Sequence, residues 1–228
     1  NKYMYHVVSI SQKGSKSSVN EDACIALSNK GIFVVADGVG GGPSGDFASR
    51  TLVEEVEHIC SSGDDPENDL LAAIQSANLK IYKAGQEPKL NGMATTVAAV
   101  VQNESTLLVC HVGDSRVYCL SDAGLEALTK DHSKLVNKGD DVQKQVVTNA
   151  LGVRESVKVE VQRFPSAQGH HLLLMTDGIS DVVSNERMQQ LLAAENRSVS
   201  EKLKSLVDES ERCGGEMTRR FSVFFRAQ

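Results

Sequence analysis

Aspartates recur where apolar runs end, an arrangement suited to divalent-metal chemistry. Ile32-Phe-Val-Val-Ala-Asp37-Gly38 carries a buried-strand pattern into a glycine-rich turn, and Leu107-Leu-Val-Cys-His-Val-Gly-Asp114 and His171-Leu-Leu-Leu-Met-Thr-Asp177-Gly178 repeat it. Carboxylates that converge in a compact fold repel one another unless a cation lies between them. Hard ions such as Mg²⁺ or Mn²⁺ take oxygen ligands and retain water, so a few carboxylates suffice. Asp37, at a strand end, can bridge two ions roughly 3.5 to 4 Å apart. The Gly38 carbonyl offers a further oxygen, because glycine lets the backbone approach closely. Asp177 and Asp181 stand four residues apart across a strand-to-helix turn and can face one centre. Two ions sharing a water lower its pKa and prepare it for in-line attack on phosphorus. Asp-Gly or Gly-Asp-Ser alone is an ordinary turn sequence. Three copies at the ends of apolar strands, together with Asn20-Glu21-Asp22, carry the metal reading.

The elements that must position these residues follow from hydrophobic periodicity. Strands are expected at Tyr3 to Ile10, Ala23 to Leu27 and Ile32 to Asp37, the last two joined as a hairpin through Ser28-Asn-Lys-Gly31. Antiparallel pairing would then set Glu21-Asp22 beside Asp37. Two amphipathic helices follow, over about 47–59 and 68–84, with Pro43-Ser44 preceding the first and Asn78 counted on the apolar face of the second. A meander is expected from Thr96 to Val101, Ser105 to Val112 and Arg116 to Leu120, then a short strand at Leu125 to Leu128. Residues 129–148 are polar with weak periodicity and read as a mobile segment or a short helix. Strands at Val157 to Phe164 and Leu172 to Thr176, helices at Asp181 to Ala194 and Ser200 to Cys213, and a strand at Phe221 to Phe225 complete the chain. The pattern implies an α+β fold: a four-layer α-β-β-α sandwich of two mostly antiparallel sheets flanked by helices.

Composition narrows the classes of function. At 228 residues the chain has the size of a single domain. Its net charge of -6 argues against a nucleic-acid or anionic-membrane binder. Cys24, Cys60, Cys110, Cys119 and Cys213 are odd in number and contain no Cys-x-x-Cys pair, so free thiols in a reducing compartment are expected rather than disulfides or structural zinc. No apolar segment is long enough for a membrane span and no signal peptide is evident. Gly40-Gly-Gly42-Pro-Ser-Gly45 fits the G-x-G-x-x-G dinucleotide fingerprint, yet Asp37 precedes it where a pyrophosphate would approach and no βαβ alternation follows. His111 reads as a packed strand residue.

Asn20-Glu21-Asp22, Val35-Ala-Asp37-Gly-Val-Gly-Gly41, Ala94-Thr95-Thr96, Val112-Gly-Asp114-Ser-Arg116-Val-Tyr118, Leu128-Thr-Lys-Asp131-His-Ser133, Asn149-Ala-Leu-Gly152 and Thr176-Asp177-Gly-Ile-Ser-Asp181 stand in the order of the motifs of one family. Together they resemble the metal-dependent, PP2C-like serine/threonine protein phosphatases. The resemblance covers essentially the whole chain. It implies a β-sandwich flanked by helices and hydrolysis of protein phosphoserine and phosphothreonine by a metal-activated water, without a covalent intermediate. It also implies two or three Mn²⁺ or Mg²⁺ ions. On this resemblance Asp37 is the bridging ligand, Gly38 the carbonyl ligand and Asp177 a ligand of the second ion. Asp22 holds metal-bound water, with Glu21 beside it. Asp114 and Asp181 join Asp177 in a weaker third site. Asp131-His132 opens the flap that shapes substrate access, shortened here to about 133–148. A phosphoprotein substrate, a cognate Ser/Thr kinase, a cytoplasmic location and a monomer are the corresponding expectations.

Two departures from the family pattern bear on activity. Where many members grip the substrate phosphate with an arginine, this chain has Ser17, with Lys16 adjacent; lysine brings the charge without the bidentate fork. The family's final Asp-Asn before the last strand is also missing. Aligning Phe221-Ser-Val on that strand puts Arg219-Arg220 there, while aligning Met217-Thr218 puts Gly215-Glu216 there, with Glu216 a possible substitute ligand. An arginine beside the second ion would discourage its binding, so a weak or inactive pseudophosphatase acting as a protein-binding or regulatory domain is the alternative reading.

Overall fold

The computed structural model describes residues 5–12, 19–41, 43–139, 141–167, 169–214 and 220–227. Strands β1 (Tyr5–Gln12), β2 (Asp22–Leu27) and β3 (Ile32–Val39) precede helices α1 (Pro43–Cys60) and α2 (Pro66–Ala84). The short β4 (Ala94–Thr95) leads into β5 (Val97–Gln102), β6 (Thr106–Val112), β7 (Arg116–Ser121) and β8 (Gly124–Ala127). Strands β9 (Ser133–Asn137), β10 (Gln143–Val147), β11 (Glu160–Pro165) and β12 (His171–Met175) follow. Helices α3 (Asp177–Ser180), α4 (Asn185–Leu192) and α5 (Val199–Gly214) and strand β13 (Arg220–Ala227) end the described chain.

One sheet has the order β1-β13-β12-β7-β8 and the other β11-β6-β5-β3-β2, with β4 pairing β3 and with β9 and β10 forming a separate ribbon. Alternation along the strands sorts their side chains into layers. Ile32, Val34 and Ala36 of β3 pack with Ala48, Leu52 and Val56 of α1 and Leu70, Ile74 and Ile81 of α2. Phe33 and Val35 point the opposite way and meet Val117, Leu172 and Leu174 of the facing sheet. Beyond that sheet, Tyr118, Leu173 and Met175 pack on Ile179, Met188, Leu203 and Leu206 of α3, α4 and α5. The expected α-β-β-α sandwich is therefore present. All neighbours of β3 are antiparallel, which removes the dinucleotide reading of the glycine-rich turn.

Two expectations need correction. Ser133–Asn137 and Gln143–Val147 form an antiparallel ribbon, with Leu135 opposite Gln145, instead of a mobile segment or a helix. Its polar composition hid the pairing, because neither face is buried and alternation leaves no hydrophobic imprint. The helix expected from Asp181 to Ala194 is shorter and starts later: Asp181 is the C-cap of the preceding single turn α3, and the Ser184 hydroxyl opens α4 by accepting the Arg187 N–H. No helix among the described residues is long and apolar enough to cross a membrane.

Asn78 illustrates how the scaffold reaches the acidic end. It is buried, and its Oδ1 accepts the Gly152 N–H at 2.8 Å while its Nδ2 donates to the Arg154 and Glu155 carbonyls at 3.1 Å. The loop it fixes forms a reciprocal bridge with Thr95: Thr95 N–H to Leu151 O is 3.1 Å and Leu151 N–H to Thr95 O is 2.8 Å. Thr95 in turn donates its hydroxyl to the Asp37 carbonyl. Replacing Asn78 by Ala strands these backbone groups and should lower unfolding free energy by about 2–3 kcal/mol. Urea denaturation checks this, and a midpoint equal to that of the unaltered chain contradicts it.

Candidate functional site

Strand parity carries Asp37 into the gap between the sheets, because it follows Phe33 and Val35 at two-residue steps on the inner face. Asp22 is its direct cross-strand partner. Leu172 and Leu174 likewise lead to Thr176 on the inner face of the other sheet, and Asp177 begins α3 immediately after it. The Thr176 hydroxyl donates to Asp22 Oδ2 at 3.0 Å, joining the two sheets at their acidic end. The Asp37 and Asp177 carboxyls hydrogen-bond each other, and Asp37 also shares a hydrogen bond with Asp22.

The electrostatics follow from this crowding. Burial, then the charge of Asp22, pushes Asp37 well above the usual carboxylate range. Burial, then Asp37, does the same to Asp177. Asp114 rises from 3.8 to about 7 through burial and the charges of Asp177, Asp181 and Asp131. Burial also raises Asp181, against the opposing pull of Arg116. The structure thus brings Asp22, Asp37, Asp177, Asp114 and Asp181 into one interacting group. Lys16 and Glu216 lie outside the described residues.

Backbone geometry holds this group in place. Gly38 N–H donates to the Glu21 carbonyl at 3.0 Å, and a Cβ on Gly38 would overlap the Gly45 carbonyl oxygen at the start of α1. Glycine is required there by this close approach. Thr96 Oγ1 accepts the Asp37 N–H at 3.0 Å and bonds Ser115 Oγ at 2.6 Å, so one hydroxyl ties Asp37 to the Asp114 turn. The Arg116 guanidinium grips Asp131 through two contacts of 2.8 Å and donates to the Tyr118 hydroxyl, also at 2.8 Å. Thr176, Thr96, Ser115 and Arg116 had no role assigned from the sequence. Parity with Leu172 and Leu174 was the available signal for Thr176; the others lay inside recognised motifs without a mark of what they touch.

The donor set is all oxygen, which fits Mg²⁺ or Mn²⁺ and disfavours softer ions. Among the described residues, no three His, Cys, Asp or Glu side chains stand ready to enclose an ion. Cys24, Cys60, Cys110, Cys119 and Cys213 are free thiols and take no part in the donor set.

Comparison with known proteins agrees with this architecture. Residues 12–211 match Protein phosphatase 2C. The chain is 32% identical over 206 residues to the serine/threonine phosphatase stp of Listeria monocytogenes, covering 82% of this chain and 81% of that protein. It superposes on PppA of Pseudomonas aeruginosa, described as a key regulatory component of T6SS, with a TM-score of 0.85, 26% identity and 98% of each chain covered. The catalytic domain of the serine threonine protein phosphatase PstP, solved with two manganese ions, superposes with a TM-score of 0.81, 26% identity and 99% of each chain covered. A carboxylate cluster at the open end of an α-β-β-α sandwich and a match spanning most of the sequence lead to one conclusion: the chain belongs to the protein phosphatase 2C family.

Proposed function

We propose that the chain hydrolyses phosphoserine and phosphothreonine in proteins with the help of Mn²⁺ or Mg²⁺. The observation that carries this reading is the contact of the Asp37 and Asp177 carboxyls across two sheets. The manganese pair in PstP supports it. Asp37, the Gly38 carbonyl and Asp177 would hold two ions, and Asp114 and Asp181 with Asp177 a weaker third. When bound, such ions lower the pKa of a coordinated water and neutralise charge on the phosphoryl oxygens. Asp22 orients that water, its own carboxylate steadied by the Thr176 hydroxyl. Thr96 fixes the backbone of Asp37, so this carboxylate keeps its aim through the reaction. Lys16 would attract the substrate phosphate as a point charge. The β9–β10 ribbon serves as a short flap over this end of the sandwich, and a phosphoprotein phosphorylated by a cognate Ser/Thr kinase is the proposed substrate.

One observation favours a second reading, a weak or inactive phosphatase that serves as a binding domain. β13 runs from Arg220 to Ala227 and sets Ser222 opposite Met175, which supports the alignment of Phe221-Ser-Val on the family's last strand; in the sequence that alignment would put Arg219-Arg220 in place of Asp-Asn. Glu216 would be the remaining carboxylate able to serve the second ion. The retained Asp22, Asp37, Asp114, Asp177 and Asp181 favour the enzyme.

Three measurements test these readings. Mn²⁺-dependent turnover of a phosphothreonine peptide should fall at least about 100-fold in Asp37→Asn, with the fold retained by circular dichroism; a correctly folded original chain without turnover removes the enzyme reading. Replacing Arg219 by Asp should tighten Mn²⁺ binding by roughly tenfold, as expected from removing a like charge near the ion, and unchanged calorimetric titration argues that Arg219 stands elsewhere. The third concerns pH. Asp114 binds its proton more tightly folded than unfolded, so the metal-free chain loses stability as pH rises from 3.8 to about 7. Asp37 and Asp177 act in the same direction. Melting temperature in a chelator should therefore drop over this window, less so in Asp114→Asn, and Mn²⁺ should abolish the drop. Identical pH curves with chelator and with Mn²⁺ would contradict the cluster's role.

A further inference from the structure

His132 sits outside the acidic group and holds the residue that precedes Asp114. Its N–H donates to the Gly113 carbonyl at 2.9 Å, and its Nδ1 accepts the Gly113 N–H at 3.2 Å. Both main-chain groups of the residue before Asp114 are therefore satisfied by one side chain and its backbone. Nδ1 as acceptor places the proton of the neutral ring on Nε2. Gly113 needs such a clasp: its φ is +104°, and a Cβ there would stand 2.7 Å from Thr96 Cγ2. The His132 carbonyl accepts the Thr148 N–H at 2.8 Å, which closes the far end of the β9–β10 ribbon on its near end. The ring stacks on His111 at 4.5 Å, and buried His111 is anchored by Nε2 to the Lys130 carbonyl at 2.8 Å. Arg116 adds a second tie, since it follows the Asp114 turn and grips Asp131 at the ribbon's root. The ribbon itself presents Leu135 and Val142, 63% and 59% exposed, as apolar contact points.

We propose that His132 is a positioning residue that makes the ribbon and the Asp114 turn one mechanical unit, so that a displacement of the ribbon is felt at the Asp114 carboxylate. This rests on the reading of Asp114 as an ion-holding group. The substitution pair His132→Asn and His132→Gln isolates the clasp: asparagine sets an oxygen close to the place of Nδ1, whereas glutamine carries it one methylene further.

Amide hydrogen exchange on the metal-free chain reads the unit directly. His132→Gln should speed exchange about tenfold in both 113–116 and 133–147, the effect of one lost hydrogen bond, and His132→Asn should stay near the original rates. Faster exchange in the ribbon alone, or equal behaviour of the two variants, overturns the proposal. In a parallel Mn²⁺ titration, Asp114→Asn should remove the weakest site and His132→Gln should weaken it by about tenfold, with His132→Asn close to the original. A weakest site equally strong in the glutamine variant also overturns it. Absence of all Mn²⁺ binding in the original chain would instead strike the proposed function, and the exchange result would still decide the coupling.

Discussion

The contact between the Asp37 and Asp177 carboxyls is the constraint on which the rest of the structure depends. It spans the two sheets, one acid coming from near the end of β3 and the other from the first residue after β12 and Thr176. It can persist only if the spacing of the sheets is fixed by their shared interior. Phe33, Val35, Val109, Val117, Leu172 and Leu174 fill that interior, and each fully buried side chain of this kind contributes roughly 1.5–3 kcal/mol. A buried carboxylate costs several kcal/mol, which a carboxyl that keeps its proton largely avoids. That is the physical content of the upward shifts at Asp37 and Asp177. The core therefore tolerates the cluster in the protonated state and leaves the ionised state in need of a cation.

Hydroxyls and glycines convert this crowding into a defined arrangement. Thr176 holds Asp22 from the opposite sheet, and Thr96 holds Asp37 from the neighbouring strand while touching Ser115. These side chains are short and carry little rotamer entropy, so holding them costs less than holding long polar chains. Gly38 lets β3 and the first turn of α1 meet without a side chain between them. The Thr176, Thr96 and Ser115 hydroxyls need supply no metal ligand for the site to depend on them, because a displacement of about 1 Å in a catalytic carboxylate costs on the order of 100-fold in rate.

The legible part of the fold was the part whose period matches a buried face. Ile32 to Ala36 is a continuous apolar run because both of its faces are buried, so its strand character, the hairpin with β2 and the pairing of Asp22 with Asp37 were readable from residue order. The ribbon at 133–147 was not, since Lys134, Leu135 and Lys144 all face solvent and leave no alternating signal. The late start of α4 was missed because Val182, Val183 and Met188 keep an apparent helical spacing across Ser184, whose capping role is local and sets the true beginning. Asn78 read as one more face residue of α2, whereas its amide is consumed by a loop 74 to 77 positions later. Partners so far apart in sequence leave no trace in spacing.

Charge divides the site into two unequal halves. At Asp37 and Asp177 the neighbours that most raise proton affinity are other carboxyls, so relief of their repulsion has to come from a proton or from a cation out of solution. Around Asp181 and Asp131 the protein supplies a cation of its own. Arg116 is held charged by its hydrogen bonds to Asp131 and pulls Asp181 back toward ionisation. Part of the negative field in that outer half is thus cancelled before any ion arrives, and an incoming cation gains less there than at the inner pair. On the proposed reading, the anchoring of the Arg116 guanidinium would by itself make an outer site weaker than an inner one, with no difference required in the number of carboxylates.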